Sequence, residues 1–156
     1  MRMTKMCVSI LFICLISTLA FADKTAQQNE PKKEANKMKI LVHVTQGPEN
    51  PTRAALAFLI AKTAIEEGHT VTLFLAGDAV QLMRDAVLDN LIGLGTGKLR
   101  EHYDAIAKGG GKFYLSGMSS KARGLTEADL KGKPAELAPP NVLLKLSLEH
   151  DRMFTY

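Results

Sequence analysis

The stretch from Ile40 to Leu75 constrains the fold more than any other part of this chain. Ile40-Leu41-Val42-His43-Val44 is a short, nearly continuous apolar run, the pattern of a strand covered on both faces in a parallel sheet. A loop, Thr45-Gln46-Gly47-Pro48-Glu49, follows it. Asn50 then stands directly before Pro51, an N-cap residue ahead of proline at the first helical position. The spacing predicts a helix to about Glu67, with Leu56, Leu59, Ile60 and Ala64 on its apolar face and Gly68 ending it. Thr70 to Leu75 reads as a second buried strand. Strand, helix and strand joined by short loops make a βαβ unit, which commits the chain to a parallel sheet.

Further along, strand and helix signals keep alternating. Asp78 is expected to cap a short helix through Met83. Arg84 to Gly97 ends in Gly93-Leu94-Gly95-Thr96-Gly97, read as a glycine-permitted turn. Lys98 to Lys108 is predicted helical, with Leu99, Tyr103 and Ile106 on one side, and Gly109-Gly110-Gly111 ends it. Lys112 to Leu115 is a third strand and Thr126 to Leu130 a capped helical turn. Pro139-Pro140 opens a last helix carrying Val142, Leu143 and Leu146, and Arg152 to Tyr156 is a terminal strand. The fold class expected is α/β: three layers, a mostly parallel sheet with helices on both faces.

The N-terminus carries a different signal. Met1 to Met6 holds two positive charges, Cys7 to Leu19 is apolar, and Ala20-Phe21-Ala22 has the small-x-small form of a cleavage site. These are the three regions of a secretory signal peptide, and the apolar run falls short of the ~20 residues that cross a bilayer. Residues 1–22 are therefore expected to be removed after Ala22, leaving a periplasmic or secreted protein with no membrane attachment. Asp23 to Lys37 is polar and reads as a disordered linker, and residues 38–156 as one domain. Both cysteines of the chain, Cys7 and Cys14, lie in the signal. The exported part can form no disulfide and holds no thiolate nucleophile or metal ligand.

Charge excludes one class of partner. Removing Arg2 and Lys5 from the 20 basic side chains leaves 18 against 16 acids. That is too little for a nucleic-acid footprint, and no Lys/Arg stripe is interleaved with aromatics. Catalytic spacings fail as well. Gly97-Lys98 lacks the earlier glycine and the following Ser/Thr of a phosphate loop, and Gly93 and Gly95 lack the third glycine of a dinucleotide fingerprint. Ser116 lacks the glycines of a hydrolase elbow. His43, His69, His102 and His150 show no paired metal-ligand spacing, and His43 reads as a hydrogen-bonded core residue. No motif calls for a cofactor or a metal.

One set of segments matches in order and spacing. Gly47-Pro48-Glu49-Asn50-Pro51 follows the first strand, with Ala54, Leu56 and Ala61 before Gly68-His69. Phe74-Leu75-Ala76-Gly77-Asp78 ends the second strand. Phe113 to Ser119 then leads into Lys121-Ala122-Arg123-Gly124-Leu125 and Asp129-Leu130. Together these resemble the DsrE/DsrF-like sulfur-relay family over about residues 38–156. The resemblance implies a compact α/β layer structure that assembles as homo-oligomers, trimers or hexamers. It also implies, in sulfur-handling members, a persulfide on a cysteine that ends the third strand before a short helix. A helix N-terminus favours a thiolate there. In this chain that position is Ser116, and a second position used in some members is Ser119. A serine hydroxyl has no accessible anion near neutral pH and forms no persulfide, so the fold implication survives and the chemical one does not.

Open α/β sheets bind ligands beyond the carboxyl ends of their strands. The candidate ligand-binding residues are Gln46, Gly47, Glu49 and Asn50 after the first strand, Asp78 after the second, and Ser116, Gly117, Ser119 and Arg123 after the third. Some of these have plain structural readings: Asn50 and Asp78 as helix caps, Glu49 beside a helix dipole, Arg123 paired with a neighbouring carboxylate. The functional expectation is an exported, non-catalytic protein that binds a small ligand, with an oxyanion as a candidate, or serves in assembly. The alternatives are a sulfurtransferase-like enzyme using another group and an accessory subunit of an oligomeric complex.

Overall fold

A computed structural model describes residues 36–156. The signal peptide and all but the last two residues of the 23–37 linker lie outside the described residues. The chain runs β1 (Lys39–Val44), α1 (Pro51–Glu66), β2 (Thr70–Leu75), a 3-10 segment (Gly77–Met83), α2 (Asp85–Leu88), β3 (Ile92–Gly93), β4 (Gly97–Lys98) and α3 (Leu99–Lys108). It continues through β5 (Lys112–Ser116), α4 (Gly117–Ala122), a second 3-10 turn (Glu127–Leu130), β6 (Ala135–Ala138), α5 (Pro140–Glu149) and β7 (Arg152–Thr155). Among the described helices, none is long and apolar enough to cross a membrane.

Five strands form one sheet in the order β6-β5-β2-β1-β7, and every pairing in it is parallel. The chain winds outward from β1 through β2 and β5 to β6, then returns to lay β7 on the other side of β1. Right-handed crossovers place the first three connections on one face, and the reversal of direction places α5 on the other. Side chains divide accordingly. Ile40, Val42 and Val44, with Val71, Leu73, Leu75, Phe113 and Leu115, pack under α1 and α3. Leu41 and Phe74 face the opposite side, where Val142, Leu143 and Leu146 of α5 rest on them. The result is the expected three-layer α/β architecture with one crowded face and one covered by a single helix.

On the crowded face an aromatic group fixes the helices to the sheet. The Phe113 ring lies 5.9 Å from Phe58 of α1 and 5.1 Å from Tyr103 of α3, and Arg100 lies over the outer side of the Tyr103 ring. Tilted pairs at such separations add to the burial itself. On the other face α5 is fastened at its far end by His150, whose Nδ1 donates to the Leu146 carbonyl at 2.7 Å. That assignment leaves Nε2 to accept from the Thr72 hydroxyl at 3.0 Å.

Four expectations need correcting. The large residues proposed for the buried face of α1, Leu56, Leu59 and Ile60, are half-exposed. Ala54, Ala55, Ala57, Phe58, Ala61 and Ala64 are buried instead. The β3–β4 hairpin presses so close to α1 that a Cβ on Gly93 would lie 2.8 Å from the Ala55 Cβ, so small residues line the contact. The segment after β2 is 3-10 rather than α-helical, and Ala76 rather than Asp78 occupies its cap position without a side-chain bond. The glycine-rich turn is a two-stranded antiparallel hairpin, with Gly95 and Gly97 at positive φ. Finally, Ala135–Ala138 adds a fifth strand to the sheet, beyond the four expected from sequence.

Candidate functional site

Three loops converge beyond the carboxyl ends of β1, β2 and β5. In the first, Gly47 is buried and donates its N–H to Glu49 Oε1 at 2.7 Å. Asn50 closes the turn onto the Gly47 carbonyl and accepts from the Arg53 N–H at 3.3 Å, capping α1. The absence of a side chain at Gly47 is required by a neighbour. A Cβ there would sit 2.5 Å from the Asp78 carbonyl oxygen, so the β1–α1 loop lies directly against the start of the 3-10 segment.

The second and third loops are joined by hydrogen bonds. Gly77, at φ +57°, donates its N–H to the Ser119 hydroxyl at 3.0 Å. Ser116, the last residue of β5, caps α4 by accepting from the Ser119 N–H at 3.3 Å. Arg123, just past α4, donates Nε to Asp78 Oδ1 at 2.8 Å and Nη1 to the Ser119 carbonyl at 3.3 Å. Its own carbonyl accepts from Arg84 Nη2 at 2.7 Å. Glu49, Gly47, Asp78, Arg123, Ser119 and Ser116 thus form one connected cluster. Asn50 is committed to the helix cap and Gln46 is half-buried beside the loop. Gly117 opens α4, where a Cβ would meet only the Ala138 carbonyl at 3.7 Å.

The electrostatics follow from these bonds. The Arg123 guanidinium is matched by the Asp78 carboxylate, so the cluster carries no isolated cation. Each serine oxygen accepts from a backbone N–H and keeps its own hydrogen to donate. Below the cluster, on the face under α5, β1 places His43 beside Phe74 with ring centroids 6.2 Å apart. His43 Nε2 is enclosed and has no hydrogen-bond partner, contrary to the expectation of a bonded core residue. Burial lowers its pKa below the usual histidine value. Tyr114, two residues before Ser116 on the same face, is shifted up by burial and then by the nearby Glu136 carboxylate.

Among the described residues no three His, Cys, Asp or Glu side chains converge as a metal set. An open hollow of about 250 Å³ lies away from the cluster, between the starts of β5 and β6, lined by Lys112, Tyr114, Pro134 and Glu136. Sequence reading missed Gly77 and Arg84, whose backbone N–H and guanidinium hold the cluster's serine and arginine. Gly77 had a visible signal, a glycine between the end of a strand and an acid. Arg84 had none, because its partner is a backbone carbonyl 39 residues away.

A sequence model of the DsrE/DsrF-like family matches residues 38–156. The chain belongs to the DsrE/DsrF-like family. Among solved structures it is similar to the ychN protein from E. coli, at 17% identity and a TM-score of 0.63 over 76% of this chain and 99% of that one. It is also similar to a conserved protein of unknown function from Bacteroides thetaiotaomicron, at 11% identity and a TM-score of 0.56 over 76% and 94% of the two chains. At these identities the likeness is one of fold. No curated protein matches the sequence. Family membership relates this DsrE-like chain to sulfur-relay proteins.

Proposed function

We propose that this chain is an exported, non-catalytic DsrE-like protein whose strand-end cluster holds a small oxyanion reversibly instead of carrying sulfur covalently. In this reading Ser116 stands where sulfur-handling relatives carry their persulfide cysteine. The observation that carries it is the chemistry of the cluster. The only cysteines of the chain are Cys7 and Cys14, and the nucleophile candidates at the site are hydroxyls held as acceptors by the Ser119 and Gly77 N–H groups. No histidine or carboxylate hydrogen-bonds either hydroxyl among the described residues, so neither has the adjacent base that activates a serine. The hydroxyl hydrogens remain available to an anion, and the Arg123 guanidinium, already paired with Asp78, adds donors but little net charge. Binding is therefore weak. Titration with sulfate and thiosulfate, followed by calorimetry, tests it: affinity should fall in Ser119→Ala and in Arg123→Ala. Equal affinity in both variants, or no binding to the parent protein, would refute the site.

A second observation favours a role in assembly. Leu144 and Leu148, one turn apart on α5, are 63% and 79% exposed, and Met153 and Phe154 on the edge strand β7 are exposed as well. A homo-oligomer would cover them, and light scattering giving a mass of at least twice the protomer would support this reading.

A further inference from the structure

The helix α5 is apolar on two opposite sides. Val142, Leu143 and Leu146 face the sheet, and Leu144 and Leu148, 63% and 79% exposed, point away from it. A helix apolar all round is ordinarily a covered one, and the outward ridge here is one turn long, with the i, i+4 spacing that makes a contiguous strip. Beside that strip run Lys145 and Glu149, paired within the helix at 3.8 Å and both well exposed.

We propose that the outward ridge of α5 packs against α5 of a second copy across a two-fold axis, with the helices antiparallel. This rests on the assembly reading and specifies its surface. The ridge is self-complementary in that one arrangement. A two-fold passing near Leu146 sets Leu144 against Leu148 of the second copy and Leu148 against its Leu144. In an antiparallel pair related by such an axis, the charged flanks of the two helices fall on the same side. Lys145 then lies within reach of the second copy's Glu149, and Glu149 within reach of its Lys145. A parallel pair would set the charged flank of one helix against the Leu143 and Ser147 flank of the other and lose this match. The contact is isologous, as a two-fold requires. Two ten-residue helices make a small interface, so the association is weak and concentration-dependent.

The test uses charge reversal and mixing, with protein purified from the full chain. K145E sets a carboxylate against the second copy's Glu149, and E149K sets an ammonium against the second copy's Lys145. Each variant alone should dissociate at concentrations where the parent is associated, with a dissociation constant raised about tenfold or more. An equimolar mixture of the two variants should reassociate, because every interchain pair is then of opposite sign. The pairs within each helix stay like-charged, so recovery on mixing cannot come from repaired helices. Sedimentation equilibrium reads all three samples, and circular dichroism shows that the variants are folded. If the parent associates and both variants associate equally well, the interface lies elsewhere and the α5 proposal fails while assembly stands. A mixture that stays dissociated also overturns the proposal. A parent that is monomeric at every concentration overturns both.

Discussion

Gly47→Ala should destabilise the protein although the backbone at that position suits alanine. The residue lacks a positive φ, so the effect is one of space alone. A Cβ would lie 2.5 Å from the Asp78 carbonyl oxygen, 2.7 Å from the carbonyl carbon and 2.7 Å from Glu49 Oε2. Favourable carbon contacts are about 3.5–4.0 Å, so the loop or the 3-10 segment must yield by roughly 1 Å. Glu49 can swing aside, but the Asp78 atoms are backbone. Overpacking of this kind costs about 1–3 kcal/mol, against which replacing glycine restricts the unfolded chain by about 0.4–1 kcal/mol. The net loss is about 1–2 kcal/mol, close to a tenfold rise in the unfolding equilibrium. Urea unfolding should show a lower midpoint at unchanged slope. Gly117→Ala is the comparator, since its Cβ would meet the Ala138 carbonyl at an ordinary 3.7 Å, and it should be neutral or slightly stabilising. Equal stability of the two variants would mean that the β1–α1 loop does not rest on Asp78, and the cluster as described would fall apart.

Other outcomes follow from the same geometry. His43 has a pKa lowered by burial, so the unfolded chain takes up its proton first. Stability is then full above about pH 6.5, the unperturbed histidine value, and declines as pH falls toward the folded value. Replacing His43 with Leu should flatten that part of the pH–stability curve, and an unchanged curve would refute the assignment. Asp78→Asn should cost less than about 1 kcal/mol, because the Arg123 pair is partly exposed; a larger loss in urea unfolding would show the pair to be a structural keystone. Ser116→Cys should give a thiol with a pKa below the ~8.5 of free cysteine, since the Ser119 N–H that now meets the serine oxygen would favour a thiolate. Thiolate absorbance checks it, and a value at or above about 8.5 contradicts it. Intact mass of the protein recovered outside the cytoplasm should begin at Asp23, and a full-length product would overturn the export reading.

The parts of the fold that were legible from sequence share a cause. β1, α1 and β2 carry continuous apolar runs, a cap with proline, and a stop glycine, signals that tertiary context leaves intact. β6 was not legible: Ala135-Glu136-Leu137-Ala138 has no β-branched residue and lies between Pro134 and Pro139. It is a strand because β5 offers it a parallel edge. The buried face of α1 departs from its most hydrophobic residues because the close approach of its neighbours selects alanine there. At the site, the strand-end rule picked out loops that do meet, and the pairing of Arg123 with a carboxylate was expected. That the carboxylate is Asp78 depends on a contact spanning 45 residues, which no local pattern encodes.

A site built of hydroxyls in a DsrE-like fold should carry no sulfur, and a sulfur-loading assay tests this most directly. The purified protein is exposed to thiosulfate or polysulfide, separated from the donor, and offered an acceptor thiol. Intact mass should show no added sulfur on the protein, and transfer to the acceptor should proceed at the uncatalysed rate. A protein-bound sulfur adduct on residues 23–156, or transfer faster than the control without protein, would contradict the account.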